Sequence, residues 1–339
     1  MKEGMSEQMR ISVVVPVRDE EDSIRELLDG LLAQTRPPDE IVITDGGSTD
    51  KTRDIIREFV SDGKPVRLIE VEAALPGRGR NIAAAHAMFE WIGFIDAGIR
   101  PELNWLQLLA ARATEDVDVV YGTLEPTVDT FFRECAAIAY VPPQTLTNGV
   151  LIRPRSIASS LMRREVWSKA AGFPEGLRSA EDLIFMNRVE ASGARTVFEP
   201  LAVVHWTIKH NFTSTFLRFI SYSRNNIRAG LWRQWQAAIL GRYFMLGLLA
   251  LLSLVLGVWW LAVPVILWVA MLLARAVVSI KRNRNQYPAS LGRNFKRLLV
   301  LVPLIGVLDA AAIVGTLHWL AADSYRKRST HLLEARNGT

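Results

Sequence analysis

Ile11–Val17 (ISVVVPV) is an almost continuous, mostly β-branched apolar run, the signature of a strand buried on both faces. Ile24, Leu27, Leu28, Leu31 and Leu32 follow at helical spacing. The alternation then repeats. A strand is predicted over Glu40–Thr44 and a helix over Thr52–Val60, carried by Ile55, Ile56 and Phe59. A third strand follows over Val66–Val71, a helix over Arg80–Trp91 and a fourth strand over Ile92–Asp96. Strands and helices in this order predict an α/β domain with a doubly wound, mostly parallel sheet. In such sheets ligands sit beyond the C-terminal ends of the strands. From about Arg100 to His205 the pattern is less regular, with helical stretches near Leu103–Ala113 and Asp182–Ala191.

Beyond His205 the pattern changes character. Phe212–Trp235 interleaves six aromatics with Arg218, Arg224, Arg228 and Arg233, which suits an amphipathic segment at a membrane interface or a soluble helix packed on the first domain. Tyr243–Ala274 carries no charged residue over 32 positions, whereas one membrane helix needs about 20. Gly257, the Trp259–Trp260 pair and Pro264 mark the turn of a helical hairpin, with spans near 241–258 and 261–279. Leu298–Ala322 is long enough to cross, but Asp309 stands at its centre, with Pro303 and Gly306 nearby. A third crossing and a re-entrant pair of short helices both fit this segment. An acid at membrane depth is costly and calls for a partner.

Charge sharpens the division. Residues 1–205 hold 23 Lys/Arg and 32 Asp/Glu, whereas residues 206–339 hold 17 Lys/Arg and only Asp309, Asp323 and Glu334 as acids. A basic, apolar half beside an acidic one points to anionic lipid as partner, and its basic residues flank membrane-length runs, which excludes nucleic acid. Arg275–Arg297 has seven basic residues and no acid, so the positive-inside rule places it in the cytosol. A hairpin returns the chain to that side. Met1–Arg10 is polar and lacks an apolar signal core, so the first domain is expected in the cytosol and the whole chain in the plasma membrane as a multi-pass protein. Cys135 is the single cysteine, which rules out an internal disulfide or a multi-cysteine metal site. The expected organisation is an α/β domain over 9–205, an interfacial region over 206–240 and a hairpin over 241–280. A basic loop over 281–297, a third membrane or re-entrant segment over 298–322 and a polar tail over 323–339 complete it.

Three constellations lie at predicted strand ends. Pro16-Val17-Arg18-Asp19-Glu20-Glu21 ends the first strand, and Asp45-Gly46-Gly47-Ser48-Thr49-Asp50 follows the second. An acid followed by glycines can accept hydrogen bonds from a base or ribose while main chain approaches closely. The same residues also suit a tight turn and a helix cap. Phe94-Ile95-Asp96-Ala97-Gly98 ends the fourth strand and offers a carboxylate to a divalent cation on phosphates.

Taken with four further segments, these resemble the family-2 glycosyltransferases of the GT-A fold over roughly Ile11 to His205. The further segments are Pro76-Gly77-Arg78-Gly79-Arg80-Asn81, Ala171-Gly172-Phe173, Glu181-Asp182 and Val203-Val204-His205. The resemblance implies a nucleotide-sugar donor and assigns roles. Pro16, Val17, Glu20, Asp45, Gly46, Gly47, Arg80 and Asn81 would bind the nucleotide sugar. Asp96 would bind Mg²⁺ or Mn²⁺, with His205 as a further metal or phosphate contact. Asp182, with Glu181 beside it, would be the general base that activates an acceptor hydroxyl, a proton it must reach directly.

Two departures stand out. Gly98 replaces the second acid of the family's D-x-D, leaving Asp96 as the motif's single carboxylate, and no Q-x-x-R-W follows Glu181-Asp182, which favours transfer of single sugars. The implied function is transfer to a lipid-linked or glycan acceptor, such as a polyprenyl phosphate or a cell-envelope glycan, at the cytosolic membrane face. The alternative is a non-catalytic membrane protein that binds nucleotide sugars on a degenerate GT-A domain. On the residues alone, Asp182 also suits a helix N-terminal acid, Asn81 a cap and His205 a core histidine. No G-x-G-x-x-G follows the first strand, which excludes a dinucleotide dehydrogenase.

Overall fold

A computed structural model describes residues 9–147 and 150–323. The chain divides into two units, Met1–Thr127 with Gln144–Thr207, and Val128–Pro143 with Ile208–Thr339. Residues 128–143 thus group with the C-terminal unit, although the sequence pattern places them inside the first domain.

In the first unit the order begins β1 (Ile11–Val17), α1 (Ile24–Leu32), β2 (Glu40–Asp45), α2 (Thr52–Ser61), β3 (Val66–Glu70), α3 (Pro76–His86) and β4 (Trp91–Phe94). It continues with β5 (Ile99–Pro101), α4 (Trp105–Arg112) and β6 (Val119–Thr127); α5 (Phe131–Tyr140) then belongs to the second unit. The first unit resumes with β7 (Thr145–Thr147), β8 (Val150–Ile152), β9 (Ser160–Arg163), α6 (Arg164–Lys169), α7 (Glu181–Ala191) and β10 (Thr196–Thr207). Eight strands form one sheet in the order β3-β2-β1-β4-β9-β6-β10-β5, and β7 and β8 form a small antiparallel pair. β3, β2, β1 and β4 run parallel, β6 and β10 run parallel, and β9 and the edge strand β5 are antiparallel to their neighbours.

Period-two alternation explains why the sheet is covered twice. Ile11, Val13 and Val15 of β1 pack with Ile41 and Ile43 beneath α1, α2 and α4, through Leu27, Leu28, Ile56, Phe59, Trp105 and Leu109. Val14, Val42 and Phe94 point to the other face, where Ala83 and Ala84 of α3, Val166 of α6 and Phe185 and Val189 of α7 cover them. This is the doubly wound, mostly parallel sheet that the early pattern predicts.

One boundary moves with consequence. The helix expected over Arg80–Trp91 runs from Pro76 to His86. Pro76 holds its first position, where a missing N–H costs nothing and the fixed φ suits a helix. Arg80 therefore sits one turn inside the helix. The expected helices near 103–113 and 182–191 appear as α4 and α7, whereas β6, β9 and β10 carry no clean period and emerge only through pairing with each other and with β4.

In the second unit α5 is joined by α8 (Phe212–Arg228), α9 (Trp232–Trp235), α10 (Ala237–Leu256), α11 (Ala262–Arg282) and α12 (Leu291–His318). Among the described residues three stretches, Ala237–Leu256, Val258–Arg282 and Leu291–Asp323, are long and apolar enough to cross a membrane. Gly257, with φ of 126°, ends α10, and a 3₁₀ turn bearing Trp259 and Trp260 leads into α11. α12 is one continuous helix that contains Pro303, so the pair of short helices considered for 298–322 does not form. Asp309 is fully buried; Arg275 pairs with its Oδ2 and the Tyr243 hydroxyl donates to the same oxygen at 3.2 Å, while its Oδ1 has no hydrogen-bond partner among the described residues. Glu134 of α5 is likewise buried against Arg293 and Arg297 of α12. The basic triplet Arg326-Lys327-Arg328 and the rest of the tail lie outside the described residues.

Candidate active site

The loops after β1 and β2 are tied to each other by side chains. The Asp19 N–H donates to Ser48 Oγ (2.9 Å), the Thr49 N–H returns a bond to Asp19 Oδ1 (2.8 Å), and the Glu20 N–H donates to Thr52 Oγ1 (2.8 Å). Asp45, at the end of β2, is fully buried. Its Oδ1 accepts from the N–H groups of Gly47 (3.1 Å) and Ser48 (3.0 Å), closing the tight turn. Its Oδ2 is buried with no hydrogen-bond partner among the described residues, an unusual cost for a carboxylate.

The glycines of this loop answer to main chain. A Cβ on Gly46 would lie 2.6 Å from Ala74 O, and one on Gly47, whose φ is 88°, would lie 2.2 Å from Glu72 O. Arg53, which the sequence motifs do not single out, reaches Asp45 Oδ1 at 3.7 Å and ties Ser48 O.

α3 delivers the central group. Its glycines let it press against β1 and the loop before α7: a Cβ on Gly79 would meet Pro16 Cβ at 3.0 Å, and one on Gly77 would meet Pro174 O at 2.2 Å. That approach carries Arg80, only 4% exposed, into a cluster of acids. Arg80 Nη2 donates to Asp96 Oδ1 at 2.6 Å and Nη1 donates to Glu181 Oε1 at 2.7 Å. The guanidinium lies 5.3 Å from the Phe173 ring centroid. Phe173 in turn stacks on Phe185 with centroids 3.9 Å apart. Phe173, which the motif reading used only as a landmark, thus lies against the Arg80 guanidinium.

Glu181 and Asp182 open α7 after Ala180, whose φ of 70° is uncommon for alanine and marks local strain beside the cluster. Burial raises the Asp182 carboxyl above its ordinary range; Arg80 opposes this and Asp96 adds to it. Glu181 is raised by the same loss of solvent and by Asp182, against the pull of Arg80. Burial alone would lower the Arg80 pKa, but the charges of Asp96, Glu181 and Asp182 outweigh it and raise it. Among the described residues three acids thus share one cation, and Glu181 Oε2 remains buried without a hydrogen-bond partner.

Asn81 and His205 both have partners within the chain. The Asn81 amide is used up internally: its Nδ2 donates to Phe173 O (2.9 Å) and Glu175 Oε1 (3.0 Å), and its Oδ1 accepts from Phe173 N (2.8 Å) and Trp167 Nε1 (3.2 Å). These bonds anchor the loop before α7 to α3. His205, on β10, has Glu102 as its ring partner at 3.0 Å. Among the described residues no three His, Cys, Asp or Glu side chains gather closely enough to hold a metal by themselves. A hard cation that takes one or two carboxylates and completes its shell with phosphate oxygens is the kind that fits Asp96. The surplus of acid over Arg80 and the unpartnered Glu181 Oε2 agree with added positive charge there.

The family model described as glycosyl transferase family 2 matches residues 12–163. The chain is 29% identical over 199 residues to the poly(ribitol-phosphate) beta-glucosyltransferase of Bacillus spizizenii, covering 52% of this chain and 29% of that protein. It is 27% identical over 196 residues to the glycosyltransferase AglE of Haloferax volcanii, covering 56% of this chain and 64% of that protein. The chain therefore spans less than two thirds of the length of either relative. In fold it is similar to the mannosyltransferase PcManGT of Pyrobaculum calidifontis, solved with GDP-Man and Mn²⁺: TM-score 0.55, 18% identity, 92% of this chain and 87% of that one.

Proposed function

Because the chain carries a glycosyl transferase family 2 domain over residues 12–163, we propose that it moves a single sugar from a nucleotide-sugar donor to a lipid-linked or glycan acceptor at the cytosolic membrane face, with inversion at the anomeric carbon. The observation that carries this reading is the Arg80 cluster, which gathers Asp96 and Glu181 by direct bonds and sets Asp182 within their field. Pro16 and Val17 end β1, Asp45 ends β2 and Glu20 lies on the loop after β1; a nucleoside would rest against these.

Asp182 takes the proton of an acceptor hydroxyl as that oxygen bonds to the anomeric carbon. The bond from that carbon to the donor phosphate breaks, and its electron pair leaves with the nucleoside diphosphate. A carboxyl raised by burial is a better base toward a hydroxyl than an exposed one. Glu181 holds Arg80 in place, and Arg80 holds Asp96. A divalent cation bound at Asp96 would supply charge stabilisation to the departing diphosphate; Mg²⁺ and Mn²⁺ are the cations the single carboxylate suits. A polyprenyl phosphate acceptor, already ionised, would need little help from Asp182, so the base assignment favours a hydroxyl acceptor such as a lipid-linked glycan.

The test is a donor screen with membranes that contain the protein, scored as sugar incorporated into the lipid extract. Incorporation of one sugar, lost on Asp96→Ala, supports the reading. Undiminished transfer by a folded Asp182→Asn protein sinks the base assignment, and failure to turn over any donor in the screen favours the non-catalytic alternative.

A further inference from the structure

The turn that carries Asp96 explains why an acid is missing from it. Asp96 O accepts from the Ile99 N–H at 3.3 Å, and Gly98 at the third position has φ of 78° while Ala97 stays on the negative side. That is the pattern of a type II turn, whose third residue is usually glycine. The direction in which a side chain would leave Gly98 is informative. A Cβ there would lie 3.6 Å from Glu20 Oε2 and 3.8 Å from Ser23 Oγ. The space that the second acid of the motif would enter already borders a carboxylate.

Glu20 is held in that place. Its N–H is fixed by Thr52 (2.8 Å), and the Ser23 hydroxyl donates to its Oε2 (2.5 Å). Among the described residues no Lys, Arg or His pairs with it, whereas Asp96 and Glu181 both have Arg80. Glu181, 4% exposed, leaves its Oε2 unpartnered in the same cluster. Asp96 and Glu181 share one guanidinium, and a buried carboxylate oxygen beside it lacks a donor among the described residues, which agrees with a further cation at Asp96.

We propose that Glu20 supplies the second carboxylate of a divalent-cation site with Asp96, in place of the acid that Gly98 lacks. The inference rests on the reading of Asp96 as a cation-binding residue. It moves Glu20 from the nucleoside pocket to the cation, and it reconciles a one-acid motif with a cation that commonly uses one or two carboxylates plus phosphate oxygens.

The experiment is a titration of the full chain in detergent with Mn²⁺, with free Mn²⁺ read from its electron paramagnetic resonance signal. Glu20→Gln is expected to weaken binding by at least about tenfold, since changes even to outer-shell groups cost about 10–100-fold. Gly98→Asp added to Glu20→Gln should recover affinity, because Asp tolerates positive φ better than most residues. Wild-type Mn²⁺ affinity in Glu20→Gln overturns the proposal. So does a loss mirrored by an equal loss of UDP or GDP affinity measured in EDTA, which returns Glu20 to the nucleoside. Asp96→Ala separates the two levels. If it abolishes binding while Glu20→Gln does not, the Asp96 reading stands alone; if neither changes binding, both fall.

Discussion

Replacing Arg80 by Met removes the one cation from the acid cluster and leaves a side chain of similar reach. The two arms differ in weight. Arg80 and Glu181 side chains are each 5% exposed, so their 2.7 Å pair is shielded from water, whereas Asp96 is 33% exposed. Breaking a buried pair from one side costs about 3–5 kcal/mol, because a buried charge is left alone. The exposed arm adds about 1 kcal/mol at most. A unit of this size loses about 2–4 °C in melting temperature per kcal/mol, so the expected drop at pH 7.5 is about 10 °C. The loss has a pH signature. Without Arg80 the Glu181 and Asp182 carboxyls rise further above their ordinary range. Acids raised on folding bind protons as the chain folds, so their penalty is complete above the folded pKa and vanishes below the unfolded value near 4. The deficit of Arg80→Met should therefore shrink as pH falls from 7.5 to 5, and Glu181→Gln added to it should restore part of the stability. The assay is thermal unfolding of the full chain in detergent at both pH values. An Arg80→Met protein that melts within about 2 °C of the parent at pH 7.5 refutes the reasoning, as does a deficit that is the same at both pH values.

Asp182→Asn should lower kcat/KM for a hydroxyl acceptor by about 10²–10⁴, with unchanged or higher thermal stability at neutral pH, since it removes a charge that burial disfavours; a less stable variant contradicts this. The acid limb of the parent's kcat/KM profile should lie above the ordinary aspartate range, following the raised Asp182 carboxyl. Gly47→Ala must force a Cβ against Glu72 O at a φ of 88°, and is expected to destabilise by about 1–3 kcal/mol in a denaturant melt. Arg275→Met should destabilise the helical unit by about 3–5 kcal/mol by stranding Asp309, whereas Arg275→Met with Asp309→Leu should cost much less; equal losses would show that the pair is not the source.

Local pattern was enough for the first half of the sheet. The β-branched runs at 11–17 and 40–44 and the helical spacing of Leu27, Leu28 and Leu31 reflect burial on a neighbouring element, so period reveals them; the charge-free window at 243–274 leaves most of its apolar side chains exposed and is legible from its length alone. The acids at strand ends were legible for the same reason, because a parallel sheet places its ligands beyond those ends. Strands β6, β9 and β10 were not, since β9 is four residues long and β10 is broken by an irregular register between Phe198 and Val203, which leaves no clean alternation.

The chain alone thus determined an α/β domain, a glycine-rich acidic site and membrane-length helices. Tertiary structure decided which charges meet. Arg80 and Glu181 stand 101 residues apart, and they touch because Gly77 and Gly79 let α3 close on β1 and the loop before α7. Arg297 reaches Glu134 across 163 residues, and Arg275 reaches Asp309 across 34. Parallel pairing of β1 with β4 puts Glu20, after the one strand, beside Gly98, after the other. Hydrophobic period reports which residues leave water, but not which partner a buried charge finds. That choice depends on how closely the backbones pack.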